Sequence, residues 1–212
     1  MKKTLIIILF LLNANSLFGQ NNNRFIFASS YGLSYIDYGG KFYALPPEFE
    51  TNNIVTDINS IGTVMGFELD YNIKNNNYVG VGFSRQHHSK KVNNTFYFNN
   101  NEFTLDNYQS NLNKTLIDIR YKRVYKYFTW SAGLFYFWES YATPSIYTND
   151  SGGVNIILDN SYNNKDQFGF YASAGCLFPI KNNINLGIQT KAYYSFAGIE
   201  TISLAPFIAF RF

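Results

Sequence analysis

The last eleven residues of the chain alternate. Ile202, Leu204, Pro206, Ile208, Phe210 and Phe212 take every second place, with Ser203, Ala205, Phe207, Ala209 and Arg211 between them. An extended chain sends successive side chains to opposite faces, so this segment is a strand with one wholly apolar face. The other face carries small or polar residues and Phe207. Such a strand must pair within a sheet, and its apolar face must be covered or immersed in an apolar medium.

Seven earlier segments show the same period. Arg24 to Tyr38 sets Phe25, Phe27, Tyr31, Leu33 and Tyr35 against Ala28, Ser30, Gly32 and Ser34. Ile58 to Ile73 is the clearest, with Ile61, Thr63, Met65, Phe67, Leu69, Tyr71 and Ile73 opposite Ser60, Gly62, Val64, Gly66, Glu68 and Asp70. Tyr78 to Gln86, Lys114 to Val124, Phe128 to Tyr141, Phe168 to Phe178 and Ile184 to Phe196 complete the set. In the sixth segment Phe170, Ala172, Ala174, Cys176 and Phe178 form the outer face, although Tyr171 and Leu177 weaken the contrast.

The connections alternate as well. Lys74 to Asn77, Tyr125 to Tyr127, Pro179 to Asn183 and Ala197 to Glu200 are short and turn-rich. Gly39 to Asp57, His87 to Asn113 and Ala142 to Gln167 read as long loops. One face of many strands bears glycine: Gly62, Gly66, Gly80, Gly82, Gly133, Gly169, Gly175 and Gly187. In a soluble sandwich or lipocalin-like barrel those glycines would meet water, where they weaken strands and contribute nothing. In a narrow closed barrel they make room for larger polar neighbours inside.

The other end of the chain fits secretion. Lys2 and Lys3 precede the apolar run Thr4 to Leu12, and Asn13 to Gln20 is polar and small. This is a signal-peptide layout, expected to span 1–19 with cleavage after Gly19, or alternatively after Ser16, and too short to cross a bilayer as a helix. The remainder, 20–212, reads as one domain. Aromatic residues make up 19% and charged residues 15% of the chain, against about 25% charged in a soluble domain. Losing Lys2 and Lys3 takes two positive charges from a formal +3 and leaves +1, which gives no basis for a nucleic-acid partner. Cys176 is the single cysteine, so neither an intrachain disulfide nor a cysteine zinc site can form. No metal-ligand spacing and no phosphate-cradling glycine motif occur, because Gly80-Val81-Gly82 lies inside a strand and opens no helix. No cofactor is expected.

Signal peptide, eight alternating segments, alternating turns and loops, and the aromatic tail together resemble the bacterial outer-membrane-protein β-barrel domain family, the small eight-stranded barrels. The resemblance implies an all-β, up-and-down, antiparallel transmembrane barrel in the cell outer membrane, with both termini periplasmic. It also implies that Ile208, Phe210 and Phe212 are part of the signal read by the outer-membrane insertion machinery. Outer-membrane lipid and lipopolysaccharide are then the immediate partners, with His87, His88, Lys90 and Lys91 placed to meet lipopolysaccharide phosphates.

On this register Glu68, Asp70, Asp118, Arg120, Lys122, Glu139, Lys191 and Arg211 point inward, four acids and four bases. Buried charges must pair, and an eight-stranded barrel is only wide enough for side chains to fill. A plugging salt-bridge network is expected; the functional alternative is a narrow conduit for ions or small solutes. His87 and Ser89 share a face where the third strand ends. His-x-Ser is similar to the catalytic pair of outer-membrane lipid A deacylases, which implies a His base, a Ser nucleophile and acyl transfer. In that family Asn follows, whereas Lys90 follows here, and the orienting acid would be Glu102 or Asp106. The loops, including Asn93 to Asn101 and Ser161 to Asp166, are rich in Asn and Tyr, a composition suited to adaptable contacts with an extracellular ligand. Phe96, Tyr97 and Phe98 could instead extend the hairpin above the membrane. Three readings follow: a plugged barrel with binding loops, a narrow pore, and a lipid-active acyl hydrolase.

Overall fold

A computed structural model of the chain describes residues 24–36, 59–98, 101–142, 145–148, 154–157 and 165–212, with side chains for 24–36, 59–91, 104, 109–140 and 166–212. The expected signal segment 1–19 and the connection 39–57 lie outside the described residues.

Eight strands close into an antiparallel barrel. In chain order they are β1 (Phe25–Tyr35), β2 (Ile61–Lys74), β3 (Asn77–Phe98), β4 (Asn101–Val124), β5 (Phe128–Ala142), β8 (Lys165–Lys181), β9 (Ile184–Ser195) and β10 (Gly198–Arg211). Each pairs with its sequence neighbours, and β1 pairs with both β2 and β10. Closure is completed by reciprocal backbone bonds, Phe25 N–H to Phe212 O at 2.8 Å and Phe212 N–H to Phe25 O at 3.0 Å. Closing the sheet leaves no edge within the barrel wall, which a sheet surrounded by hydrocarbon requires.

The tight turns explain themselves locally. Asn75 and Asn76 adopt φ of 50° and 64° between β2 and β3. A two-residue hairpin loop of type I′ needs positive φ at both central positions, and asparagine tolerates it best after glycine. Asn77 Nδ2 then donates to Lys74 O at 2.8 Å across the turn.

The expected faces hold on every barrel strand. Tyr31, Leu33, Leu69, Val81, Ile119, Leu134, Phe170, Ile188 and Leu204 are exposed on the outside. Ser34, Glu68, Ser84, Asp118, Ser131, Gln189 and Ser203 are buried inside. The sixth segment has the expected register, with Tyr171 and Leu177 turned inward. The exterior is therefore apolar and the interior polar, the reverse of a water-soluble barrel. So large an exposed apolar belt is not tolerated on a soluble monomer.

Two expectations need correction. His87 to Asn113 is not a loop: β3 and β4 continue as one ladder to Phe98↔Asn101, with a single register shift between Val92 and Asn94. Thr95, Phe96, Tyr97, Phe98, Phe103 and Thr104 favour strand, but the segment lacks the apolar-polar contrast that a lipid-facing strand shows. The connection 142–167 also contains structure. Strands β6 (Ser145–Thr148) and β7 (Val154–Ile157) pair as a separate two-stranded sheet.

Candidate functional site

The inward residues of β4 give the order of the lumen from the rim at which β1 begins and β10 ends: Val124, then Lys122, Arg120 and Asp118, then Leu116, then Lys114 and Leu112. Apolar, charged, aromatic and charged layers alternate along this line.

Ile26, Ala28, Tyr78, Val124, Leu177, Phe207 and Ala209 form the first layer. A cavity beside it, partly lined by Lys122, Thr129 and Arg211, amounts to only about 10 Å³, the space of one water molecule.

The ion cluster comes next. Arg120 is its hub: Nε lies 2.8 Å from Asp70 Oδ1, Nη1 2.8 Å from Asp118 Oδ1, and Nη2 3.2 Å from Glu68 Oε2. Nη2 also donates to Val81 O at 3.1 Å. Lys122 Nζ stands 2.8 Å from Asp70 and 3.2 Å from Glu68, and Lys191 Nζ lies 2.6 Å from Glu68 Oε1. Three carboxylates thus face three cations, all buried. A planar guanidinium presents five N–H donors in a fixed fork, which suits Arg120 to bridging three carboxylates and a carbonyl at once. Gly80 and Gly82 create the room: a Cβ at either would collide with Asp70 or Asp118.

An aromatic layer seals the cluster on the far side. Phe135 meets Tyr193 edge-on at 5.1 Å and stacks on Phe137 at 6.0 Å, while Tyr171 stacks on Tyr193 at 5.4 Å. Leu116 completes the layer. Ser131 Oγ lies 2.7 Å from Tyr171 OH, satisfying that phenol inside the barrel.

Beyond it lies a second ion group. Lys114 Nζ sits 3.2 Å from Glu139 and 3.0 Å from Glu200, and 4.3 Å from the centre of the Phe137 ring. Ser195 donates a short hydrogen bond to Glu200. Nearby, buried His88 donates from Nδ1 to Asn59 O at 3.1 Å and meets Ser34 Oγ through Nε2 at 3.0 Å. Its ring lies over Gly62, where a Cβ would come within 2.6 Å of it.

Of the eight charges expected inside, six form the central cluster. Glu139 belongs instead to the second group, one layer away. Arg211 lies half-buried at the terminal rim, and its Nε has no hydrogen-bond partner; it joins neither network. Lys114 and Glu200 were not expected. Lys114 has the same parity as Asp118 and Arg120, and Glu200 was placed in a turn although β10 already begins at Gly198.

His87 and Ser89 do share the outward side of β3, but they do not engage each other. His87 Nδ1 donates to Asn113 Oδ1 at 2.9 Å, and Ser89 Oγ accepts from Gln109 Nε2 at 2.8 Å. The side chains of Glu102 and Asp106 lie outside the described residues.

No protein-family model matches the chain, and no curated protein matches it in sequence. Solved structures do match in shape. Ail, the attachment invasion locus protein of Yersinia pestis, solved with the heparin analogue sucrose octasulfate, is 8% identical over 89% of this chain and 98% of its own, with a TM-score of 0.51. The fold is that of the small eight-stranded outer-membrane β-barrels. Neisserial surface protein A is similar over 90% of this chain and 98% of its own, with 11% identity and a TM-score of 0.48. The N-terminal barrel domain of Pseudomonas aeruginosa OprF is similar over 91% and 100%, with 10% identity and a TM-score of 0.42.

The β3–β4 hairpin runs on beyond the barrel wall. Pairing of β3 with β2 ends at Thr63↔His87, and pairing of β4 with β5 ends at Asn111↔Ala142. Past those points the two strands pair only with each other. From Lys90 to Phe98 that ladder would reach about 27 Å at the rise of an extended strand.

Proposed function

We propose that the chain is an integral outer-membrane protein whose filled barrel serves as a rigid mount for an extracellular binding element, the β3–β4 hairpin. The observation that carries this reading is the combination of a lumen blocked by apolar and aromatic layers with a ladder that leaves the barrel wall on the side away from the termini. Arg24, Phe212 and the β2–β3, β4–β5 and β8–β9 turns share one rim, which supports a periplasmic placement of that rim. Ile208, Phe210 and Phe212 on the closing strand would present the insertion signal. By sequence the hairpin holds two lysines, Lys90 and Lys91, and two acids, Glu102 and Asp106, so its composition is balanced rather than basic.

A narrow pore would need a continuous polar path, and the Phe135–Tyr193 layer and the Ile26–Phe207 layer interrupt one. An acyl hydrolase would need His87 to take a proton from Ser89, but Ser89 is held across the ladder by Gln109. The role is therefore read as non-enzymatic.

The test has two parts. Purified protein in planar bilayers should show no stepwise conductance; steps that disappear on Glu68→Gln would establish the pore instead. Cells displaying the protein should bind to a glycan and matrix-protein array, and lose that binding when 92–108 is deleted, while the barrel still inserts. Binding that survives the deletion removes the hairpin from the function. Acyl release from intact lipid A by the wild type, absent in Ser89→Ala, would overturn the non-enzymatic reading.

A further inference from the structure

The rim at which β1 begins and β10 ends is ringed with cations. Arg24 precedes β1, Lys74 closes β2, Arg123 and Lys126 flank the β4–β5 turn, and Lys181 closes β8; all are exposed. No Asp or Glu occurs in the segments 72–78, 123–128 or 178–184, nor at 24–25 or 210–212. Acids do occur toward the opposite end of the described barrel: buried Lys114 is matched by Glu139 and Glu200, and exposed Asp166 accepts from Tyr136.

A second observation fixes the depth of these cations. The exposed outward residues next to them are apolar or aromatic, including Ile73, Tyr125, Tyr127, Phe178 and Ile180. Two of the cations are laid against such rings: Arg123 Cζ is 5.2 Å from the Tyr125 centroid, and Lys126 Nζ is 4.9 Å from that of Tyr127. Tyrosine belts mark the level at which hydrocarbon gives way to head groups, and long basic side chains reach from that level toward the polar side. The cationic ring therefore stands at the height of lipid phosphates.

We propose that this rim selects anionic phospholipid head groups from the leaflet it faces, with Lys74, Arg123, Lys126 and Lys181 as the recognising residues. The proposal rests on reading the apolar exterior as lipid-facing. Its chemistry is charge complementarity without competition from neighbouring side-chain carboxylates, with the tyrosine rings holding Arg123 and Lys126 at the correct depth.

The experiment is to fold the protein into nanodiscs of phosphatidylcholine with a minor fraction of phosphatidylglycerol and measure the lipids that co-purify after mild delipidation. Enrichment of phosphatidylglycerol by about fivefold over the bulk is expected, the effect of roughly one basic contact at a charged surface. It should fall with rising salt. It should drop toward the bulk ratio in K74Q/R123Q/K126Q/K181Q and substantially in R123Q/K126Q, but stay in R85Q, which removes an exposed cation of β3 remote from this rim. Equal lipid ratios around wild type and bulk, or equal loss in R123Q/K126Q and R85Q, would overturn the proposal. Failure to enter the nanodisc at all would instead refute the membrane-spanning reading, so the two failures are distinguishable.

Discussion

The guanidinium of Arg120 lies so close over Gly82 that a Cβ at residue 82 would stand 2.6 Å from Nη1. The same Cβ would be 2.8 Å from Asp118 Cγ. Neither group can retreat easily, because Arg120 is bound on three sides by carboxylates. Gly82→Ala is therefore expected to destabilise the barrel by about 1–3 kcal/mol, the usual cost of overpacking. Gly66→Ala should cost less, since its Cβ would crowd only Ser30 Oγ, at 2.8 Å, with its next neighbours at 3.6 Å. Urea unfolding of the two variants in the same micelles checks the ranking; a Gly82→Ala midpoint equal to wild type would contradict it.

Removing the hub itself leaves three buried carboxylates to two lysines. Arg120→Met should cost about 3–5 kcal/mol, the penalty for an uncompensated buried charge. Neutralising one acid should recover part of that loss, so Arg120→Met/Asp118→Asn is expected to be more stable than Arg120→Met alone. A double variant no better than the single one would mean that packing, not charge balance, sets the cost.

Much of this was legible in the sequence, and the limits have physical causes. β2 could be read nearly residue by residue because one face meets lipid and the other meets charge, so Met65 and Phe67 contrast with Gly66 and Glu68. The aromatic layer was not legible in the same way. Phe135, Phe137 and Tyr193 have inward parity, but hydrophobicity gives no reason to place them among charges; only the glycines opposite hint at it, as Gly169 makes room for the Phe135 ring. The upper ladder of β3 and β4 was legible only as the alternative in which Phe96, Tyr97 and Phe98 extend the hairpin, and for the opposite reason. Beyond His87 both faces leave the barrel, and the pattern that reports a bilayer has nothing to report. Charge pairing was legible as composition but not as partnership: Glu139 sits one layer from the cluster it was grouped with, because the shear of the strands decides which inward residues meet.

The aromatic layer makes its own prediction. Phe135 is 1% exposed and touches both Phe137 and Tyr193. Phe135→Ala should cost about 3–5 kcal/mol through the cavity it leaves. It should still not conduct, since the Arg120 cluster and the Lys114 group remain on either side. Bilayer recordings showing open-channel steps in Phe135→Ala would identify this layer as the sole barrier and revive the conduit.

The closing seam separates stability from assembly. Phe25 and Phe212 exchange two backbone hydrogen bonds, and their rings stack at 6.0 Å with an interplanar angle of 19°. Phe212→Ala keeps the backbone bonds and loses only the ring contact, so the folded barrel should be weakened by about 0.5–1.5 kcal/mol. Deleting Phe212 removes the bonds as well and should weaken it further. If the terminal aromatic is also read by the insertion machinery, Phe212→Ala will reduce outer-membrane insertion in cells far more than its unfolding midpoint in micelles accounts for, and Phe212→Tyr will restore it. Insertion that tracks the midpoint across Phe212→Ala, Phe212→Tyr and the deletion would show that residue 212 acts only as the seam of the barrel.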